Sequence, residues 1–229
     1  MLTPRLKHIL NLVENCDVVG DVGTDHGYLA VELINENKAK YVIATDINEK
    51  PLQKATSLIE KSQLEKFATT RIGTGLSVFE KNECNVTIIA GMGGYLIRDI
   101  LLNDLDIAHS NDMLILQPMN NAWVLRQMLN EKKFLIVAEE LIKENHHIYE
   151  IVVVKNGKMT EFTEMDAYLG YHKVRKKTSI FEEFLSRKIK KEIKKIQAVT
   201  EKNTLKAQNQ KIKSTKWLKK LMEEKNGSN

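Results

Sequence analysis

The sequence predicts an α/β fold in which a mostly parallel sheet ends in an antiparallel hairpin and is followed by a C-terminal pair of helices. Three features of the 229 residues predict this fold. Short apolar, β-branched runs alternate with helical patterns over the first 155 residues, as in parallel βαβ units. The last two runs are too close together for a crossover helix, and the composition becomes strongly basic after residue 159.

The predicted strands and helices follow the spacing of apolar residues. The strands are residues 17–22, 41–45, 68–72, 85–90, 113–116, 134–141 and 148–155. Helical patterns lie between strands, for example at residues 28–35, 49–61, 95–102 and 122–130. Only residues 142–147 separate the last two strands, so these two form a hairpin. A plain dinucleotide-binding fold would instead end in another parallel strand.

The C-terminal part predicts two amphipathic helices after a linker at residues 156–170. In residues 179–200, apolar side chains recur at spacings of three and four, at Ile180, Phe181, Phe184, Leu185, Ile189, Ile193, Ile196 and Val199. After a break at residues 201–203, a thinner stripe holds Leu205, Ile212, Trp217, Leu218, Leu221 and Met222, with Gln208 and Thr215 at seam positions. We therefore predict a coiled-coil-like helical hairpin, and two domains at residues 1–158 and 159–229.

The charge is divided unevenly along the chain. Residues 1–159 hold 17 Lys and Arg against 21 Asp and Glu, whereas residues 160–229 hold 18 against 9. A basic C-terminal part predicts a polyanionic partner, although a basic helical hairpin can also serve dimerisation alone. No apolar run approaches the roughly 18–20 residues that span a bilayer, and the N-terminus does not resemble a signal peptide. We expect a cytoplasmic protein without a membrane span and without a metal, because Cys16 and Cys84 have no zinc-site spacing.

A glycine-rich turn lies where the first strand runs into the first helix of the βαβ pattern. It has the order D-x-G-x-D-x-G and contains Asp21, Gly23, Thr24, Asp25, His26 and Gly27. Glycines at this point let the backbone approach a ligand, which the amides of the following helix also face. The order resembles the first motif of S-adenosylmethionine-dependent methyltransferases. It differs from G-x-G-x-x-G and from a Walker A loop, although both glycines can also serve the turn alone.

Two further strand ends add candidate cofactor residues. Asp46 and Ile47 end the second strand, 25 residues after Asp21, where a carboxylate can accept hydrogen bonds from two ribose hydroxyls. Asp46 can alternatively cap the next helix. After the third strand, Gly73, Thr74, Gly75 and Leu76 lie where flexible backbone can cover an adenine ring, or where the chain only turns.

The fourth and fifth strand ends predict the acceptor site. Gly91, Met92, Gly93 and Gly94 follow the fourth strand, where backbone can closely approach cofactor and acceptor. The next residue, Tyr95, can stack on a base, or pack locally in the first turn of its helix. After the fifth strand, Gln117 or Asn120 can read the Watson–Crick edge of adenine, while Asn120 or Asn121 can instead cap a helix.

Together, the segments DVGTDHGYL, AGMGG and LQPMN and the basic helical C-terminus resemble the bacterial family that methylates N1 of adenine 22 in tRNA. The resemblance covers nearly the whole chain and implies a class I Rossmann-like methyltransferase sheet. It implies S-adenosylmethionine as cofactor, with S-adenosylhomocysteine as product, and contacts from the turn, Asp46, Gly75 and the 91–94 loop. In one departure, Tyr171-His172-Lys173 replaces a Gly-Pro turn expected after Gly170.

The resemblance implies that the helical hairpin helps to hold tRNA. The candidate RNA-binding residues are Arg175, Lys176, Lys177, Lys188, Lys191, Lys194 and Lys195. Because adenine N1 already has an in-plane lone pair, the enzyme mainly aligns the base and excludes water. Asp25 and His26 can orient the cofactor or accept the exocyclic proton afterwards. The alternatives are a methyltransferase of a small metabolite and a non-catalytic RNA-binding protein, and we expect a monomer.

Overall fold

The computed structural model describes residues 2–200 and 204–226. The chain forms two compact units, of which the first ends at Arg175 and the second begins at Lys176. In the first unit, the strands are β1 (Cys16–Val22), β2 (Ala39–Asp46), β3 (Ala68–Ile72), β4 (Val86–Met92), β5 (Met113–Pro118), β6 (Phe134–Glu144) and β7 (His147–Asn156). Its helices are α1 (Pro4–Leu12), α2 (Tyr28–Asn35), α3 (Glu49–Lys61), α4 (Gly94–Asn103), α5 (Leu105–Ser110), α6 (Ala122–Glu131) and α7 (Glu164–Leu169).

The seven strands form one sheet in the order β3-β2-β1-β4-β5-β7-β6. The first five strands are parallel, and β7 runs antiparallel to both β5 and β6. The predicted α/β fold class, with a closing antiparallel hairpin, is therefore confirmed. Because the carboxyl ends of β1, β2, β3 and β4 meet at one edge, the residues that follow them are brought together there.

The core lies on both faces of this sheet. In β4, the neighbouring residues Ile88 and Ile89 are fully buried and belong to different core clusters, since successive side chains of a strand point to opposite faces. Helices α1, α2 and α3 supply one cluster, through Ile9, Leu33 and Ile59. Helices α4 and α6 supply the other, through Leu101 and Leu125. Burial on both faces explains the unbroken apolar runs of the parallel strands.

Residues 159–175, which the sequence assigned to the C-terminal domain, pack within the first unit. Arg126 of α6 donates a hydrogen bond to the backbone oxygen of Ala167 at 3.2 Å. The backbone N–H of Tyr171, a residue that replaces the expected Gly-Pro turn, donates to Glu139 Oε2 at 2.9 Å. The boundary between the compact units therefore lies later than the predicted boundary at residue 158, because long-range contacts hold this segment.

These contacts of residues 159–175 with the rest of the first unit are made by a buried cluster of ion pairs. Arg126 Nε lies 2.6 Å from Glu139 Oε1, and its Nη2 lies 2.8 Å from Glu150 Oε2. Arg126 and Glu139 are both buried. The cluster therefore connects α6 to β6 and β7 and, through Tyr171, to the segment after α7.

The second unit contains α8 (Ser179–Thr200) and α9 (Leu205–Asn226), which pack against each other. Lys177, just before α8, lies 4.0 Å from Glu224 near the end of α9, so the two helices are antiparallel. The predicted break at residues 201–203 lies outside the described residues.

The predicted apolar stripe of α9 was wrong in part: Leu221 is buried and Trp217 and Leu218 are half-buried, but the seam does not contain the other predicted residues. Leu205 and Ile212 are 74% and 68% exposed, whereas the buried residues of α9 are Ala207, Ser214 and Leu221. These three recur every seven residues, which is the spacing of a coiled-coil seam. On α8, Glu192 is buried in place of the predicted Ile193, which is exposed. The buried positions include small and polar residues, so apolar residues alone did not mark the seam. In the described part of the chain, no helix is long and apolar enough to cross a membrane.

Candidate active site

A cavity of about 320 Å³ lies at the carboxyl edge of β1, β2, β3 and β4. The predicted cofactor residues in its wall are Gly23, Asp46, Ile47, Thr74, Gly75, Gly91 and Met92. The wall also contains Gly73 of the predicted turn after β3, and Val22, Thr45, Asn48, Ala90, Leu96 and Ile100, which the motifs did not indicate. Most of these residues are next to a predicted residue in the sequence, so their position beside a motif could have identified them. No sequence motif indicated Ile100, because it lies two turns into α4.

The turn after β1 is held against the end of β2. The backbone N–H groups of Gly23 and Thr24 both donate to the Thr45 oxygen, at 2.8 and 2.9 Å. Gly23 has a φ of +80°, and a Cβ at this position would overlap the Met92 side chain. The backbone conformation therefore requires glycine, whereas the flexible Met92 side chain could move away from a Cβ.

Gly27 has a packing role. Its φ is +74°, and a Cβ there would lie 2.9 Å from the Cα of Ala55 in α3. The glycine thus lets the turn before α2 pack on α3. The predicted cofactor residues that do not line the cavity are Asp21, Thr24, Asp25, His26, Gly27, Leu76 and Gly93. Leu76 is fully buried in the core.

Asp21 is buried directly behind the cavity. Burial raises the pKa of its carboxyl to about 6, a hydrogen bond from the Thr24 hydroxyl opposes this rise, and the negative charge of Asp46 adds to it. The ionised carboxylate is therefore held in an unfavourable environment at neutral pH. A cation bound in the neighbouring cavity would favour the ionised form.

The pKa of Asp21 gives a pH-dependent prediction. Because the folded pKa lies above the ordinary value of 3.8, ionisation of Asp21 destabilises the fold, and the loss is recovered as the pH falls. We expect a cost of roughly 3 kcal/mol at pH 7.5 that falls to roughly 1 kcal/mol at pH 4.5. Urea unfolding of wild type and Asp21→Asn at both pH values measures the free energy of unfolding of each protein. The stability difference between the two proteins should change by roughly 2 kcal/mol, and parallel pH curves would contradict the assignment.

Asp46 lies in the wall of the cavity. Its Oδ1 accepts hydrogen bonds from the backbone and side-chain nitrogens of Asn48, at 2.7 and 3.3 Å. Asn48, rather than Asp46, occupies the N-cap position of α3, so the alternative capping role of Asp46 was wrong. These bonds fix the orientation of the carboxylate through one oxygen.

Asp25 and His26 lie outside the cavity wall. His26 Nδ1 lies 2.8 Å from Asp25 Oδ2, and its Nε2 lies 3.1 Å from Lys54 Nζ. Since an ammonium group can only donate, Nε2 is the acceptor and we assign the ring proton to Nδ1. Both ring nitrogens are thus engaged, and this does not favour His26 as a proton acceptor.

Gln117 holds the glycine loop and does not line the cavity. Its side chain is fully buried, and Oε1 accepts from the Gly91 backbone N–H at 3.1 Å and from the Arg5 guanidinium. Nε2 donates to the Pro118 oxygen at 3.0 Å and contacts Met119 Sδ. The prediction that Gln117 reads a base is therefore contradicted, because its amide groups are already engaged. Arg5 was missed, because no motif near it indicates a contact with β5.

Gly94 packs the loop after β4 against the loop after β5. Its N–H donates to the Asn120 oxygen at 2.9 Å, and a Cβ on it would lie 2.5 Å from the Asn121 oxygen. Close loop packing, rather than ligand approach, therefore explains this glycine. Asn121 occupies the N-cap position of α6, but its side chain does not cap the helix.

Asn120 and Tyr95 are exposed at this edge. The Oδ1 of Asn120 accepts from Asn121 Nδ2 at 2.9 Å and would lie 3.4 Å from a Cβ at Gly93. The Tyr95 ring is 45% exposed, with the Arg98 guanidinium 5.0 Å from its centroid. The structure therefore leaves both side chains accessible beside the cavity. Within residues 2–200 and 204–226, no group of three or more His, Cys, Asp or Glu side chains could hold a metal ion.

Comparisons with known proteins agree with this geometry. A family model described as a methyltransferase domain matches residues 2–152. A tRNA (adenine(22)-N(1))-methyltransferase of Bacillus subtilis is 35% identical over 156 residues, which is 68% of this chain and 66% of that protein. A candidate tRNA (m1A22) methyltransferase of Streptococcus pneumoniae has a crystal structure that matches with a TM-score of 0.88 and 32% identity, over 96% of this chain and 99% of that one.

The chain belongs to the bacterial tRNA (adenine-22-N1)-methyltransferase family. The resemblance inferred from the motifs is thereby confirmed. A TrmK structure from M. capricolum, in complex with S-adenosylhomocysteine, matches with a TM-score of 0.82 and 28% identity, over 96% of this chain and 98% of that one. The aligned segment spans just under two thirds of the Bacillus protein, whereas the two matched structures are covered almost completely.

Proposed function

We propose that this protein transfers a methyl group from S-adenosylmethionine to N1 of an adenine in tRNA, at position 22. One observation carries the proposal: Gly23 of the glycine-rich turn after β1 (the motif I turn, residues 21–27), Asp46 and the glycine loop after β4 line one cavity in a member of this family. Relatives are named for this reaction, and one related structure holds the cofactor product. The cavity lies at the ligand edge of the sheet expected for this class of fold.

The residues of the cavity fit the cofactor. Asp46 presents an oriented carboxylate to ribose hydroxyls, and the apolar side chains of Ile47 and Leu96 can cover an adenine ring. The buried carboxyl of Asp21 supplies negative potential behind the turn, which favours a cationic ligand. When bound, S-adenosylmethionine supplies an electrophilic methyl group.

Asp46 gives the test of the cofactor site. We expect Asp46→Ala to weaken S-adenosylmethionine binding by about 1.5–3 kcal/mol, because a charged acceptor of hydroxyl hydrogen bonds is lost. Calorimetry on the purified variant measures the affinity. Asp46→Asn is the matched control for loop geometry, since its amide oxygen can still accept from Asn48. If both variants bind as wild type does, Asp46 does not hold the ribose.

On the acceptor side, the protein has to orient the base but does not have to deprotonate it before methyl transfer. Neutral adenine N1 has an in-plane lone pair, so alignment and exclusion of water are the main requirements. We propose that Tyr95 stacks on the target base and that the exposed Asn120 amide hydrogen-bonds its edge. Gln117 and Arg5 act as positioning residues by holding Gly91 in the loop.

One face of α8 supports the proposed contact with RNA. Arg187, Lys190, Lys191, Lys194, Lys195 and Ala198 line a shallow groove there. Among the predicted RNA-binding residues, Lys191 and Lys194 are exposed on this face, which Lys190 extends. Phosphates are the expected ligands of such a face.

The other predicted RNA-binding residues have additional contacts. Lys195 lies 2.5 Å from Glu192, and Lys188 lies 4.6 Å from the Phe184 ring centroid. Arg175 belongs to the first unit and donates to the Gly170 oxygen at 3.2 Å. Lys177 is paired with Glu224, and Lys176 is exposed beside it. We therefore place the main RNA contacts on Lys190, Lys191 and Lys194.

The deciding experiment is transfer of a tritiated methyl group to unmodified tRNA, followed by nucleoside analysis. We expect label in 1-methyladenosine, and no label in a tRNA whose adenine 22 is replaced by guanine. Label transferred without RNA would favour the small-metabolite alternative, and absence of cofactor binding would favour the non-catalytic one. The monomeric state and the cytoplasmic location stay predictions.

A further inference from the structure

A basic groove beside the motif I turn has no role in the mechanism above. It has a volume of about 530 Å³ and lies between the turn and one face of α3. Its lining residues are His26, Tyr28, Lys50, Gln53, Lys54, Ser57, Leu58 and Lys61. We call it the α3 groove. The cofactor cavity has a different set of lining residues.

Three lysines of the α3 groove are aligned along the helix. Lys50, Lys54 and Lys61 lie within about 40° of one another around the helix axis and span about 16 Å along it. Within the described residues, none of the three forms an ion pair with a carboxylate. A row of positive charges without acidic partners suits the successive phosphates of a nucleic acid strand.

An aromatic surface lies beside this row. The Tyr28 ring is 45% exposed and stacks on His26, with the ring centroids 5.7 Å apart and an interplanar angle of 20°. Asp25 and Lys54 hold the His26 ring in place from opposite sides. An exposed ring beside phosphate-binding lysines suits an RNA strand, whose unpaired bases stack on aromatic side chains. An acidic peptide would use the lysines but would not need the ring.

The α3 groove borders the cofactor cavity. Helix α3 begins at Glu49, directly after Asn48 in the cavity wall, and Gly27 packs tightly on Ala55 in the middle of this helix. Residues 1–175 hold 19 Lys and Arg against 24 Asp and Glu, so this unit as a whole repels a polyanion. A local basic groove beside the cavity counteracts this repulsion where the target base has to enter.

We propose that the α3 groove binds the backbone of the tRNA nucleotides that flank the target adenine. Lys50, Lys54 and Lys61 contact phosphates, and Tyr28 stacks on an unpaired base. The proposal rests on the proposed function for the identity of the RNA, and it adds a second RNA-binding surface to that of α8.

The test compares two triple variants of the full chain. Lys50→Ala/Lys54→Ala/Lys61→Ala removes the row, while Lys81→Ala/Lys132→Ala/Lys155→Ala removes three exposed lysines at the opposite edge of the sheet. We expect the first variant to bind unmodified tRNA about 10- to 50-fold more weakly at 0.15 M salt. Its slope of log affinity against log salt should be shallower by about two units. The second variant should bind tRNA as wild type does.

Two further measurements make the outcome decisive. In the wild-type protein, bound tRNA should protect Lys50, Lys54 and Lys61 from acetylation, read by mass spectrometry, and should leave Lys81 and Lys132 reactive. Tyr28→Phe should retain tRNA affinity, whereas Tyr28→Ala should lose several-fold, since base stacking contributes to binding.

Failure of this proposal and failure of the proposed function are distinguishable. If tRNA is methylated but the α3 lysines are unprotected and dispensable for binding, the groove proposal is overturned and the function stands. If the lysines are protected but no methyl group is transferred, the proposed function fails instead. A lysine variant that loses S-adenosylmethionine affinity would assign the groove to the cofactor and would also overturn the proposal.

Discussion

Charge reversal on α8 is expected to abolish most tRNA binding. In the full chain, Lys190→Glu/Lys191→Glu/Lys194→Glu replaces three exposed positive charges of one helix face with negative ones. We expect tRNA affinity to fall on the order of 100-fold or more at 0.15 M salt, because phosphate contacts are lost and repulsion is added. Filter binding across a salt series measures the affinity, and methyl transfer at limiting tRNA should fall in parallel.

Two controls isolate charge from structure in this experiment. The corresponding triple Lys→Arg variant keeps the charge and should keep the affinity. Calorimetry should show unchanged S-adenosylmethionine binding in the Glu variant, because the cavity residues all lie in the first compact unit. If the Glu variant methylates dilute tRNA as wild type does, this face of α8 does not bind the substrate.

Replacement of Arg126 is expected to cause the largest loss of stability. Arg126→Ala leaves Glu139 and Glu150 without their shared cation, and it removes the hydrogen bond to the Ala167 oxygen. Burial raises the pKa of Glu139 even with Arg126 in place, so the carboxylate depends on this cation. We expect the free energy of unfolding to fall by about 3–5 kcal/mol, as when one partner of a buried ion pair is removed. Urea unfolding followed by circular dichroism measures it.

The exposed pair of Lys40 and Asp17 provides the control. Lys40 Nζ lies 2.6 Å from Asp17 Oδ1, a distance no longer than those in the two Arg126 pairs. Both side chains of this pair are mostly exposed, however. Lys40→Ala should therefore leave the unfolding curve almost unchanged, since solvent screens the pair. Saturating S-adenosylmethionine, at 100 times its dissociation constant, should restore about 2.7 kcal/mol to Arg126→Ala if the variant still binds it. Equal losses in the two variants would show that burial of Arg126 does not set the effect.

The sequence by itself determined the order of the seven strands along the chain, four of the helices between them, and the edge of the sheet at which the candidate cofactor cavity lies. Periodicity of apolar residues is a local property, and parallel strands bring their carboxyl ends to one edge. Gly23 and Asp46 were therefore placed together correctly although they are far apart in the chain. The D-x-G-x-D-x-G order and the acid at the end of β2 needed no tertiary information to suggest a cofactor site.

Only the tertiary structure decided what individual polar side chains do. Gln117 contacts Arg5, which is 112 residues away, and this contact turns a predicted base-reading amide into a support for the Gly91 loop. Likewise, Glu139 draws Tyr171 into the first compact unit, beyond the boundary that composition predicted.

The register of α9 shows the same limit. Its seam consists of Ala207, Ser214 and Leu221, while Leu205 and Ile212, which are more apolar than Ala207 and Ser214, are exposed. A sequence pattern shows which side chains favour burial, but the partner of each side chain depends on segments that are distant in the chain. The physical reason is that burial and hydrogen bonding are satisfied jointly across the fold, and a buried polar group is stable only where such a distant partner meets it.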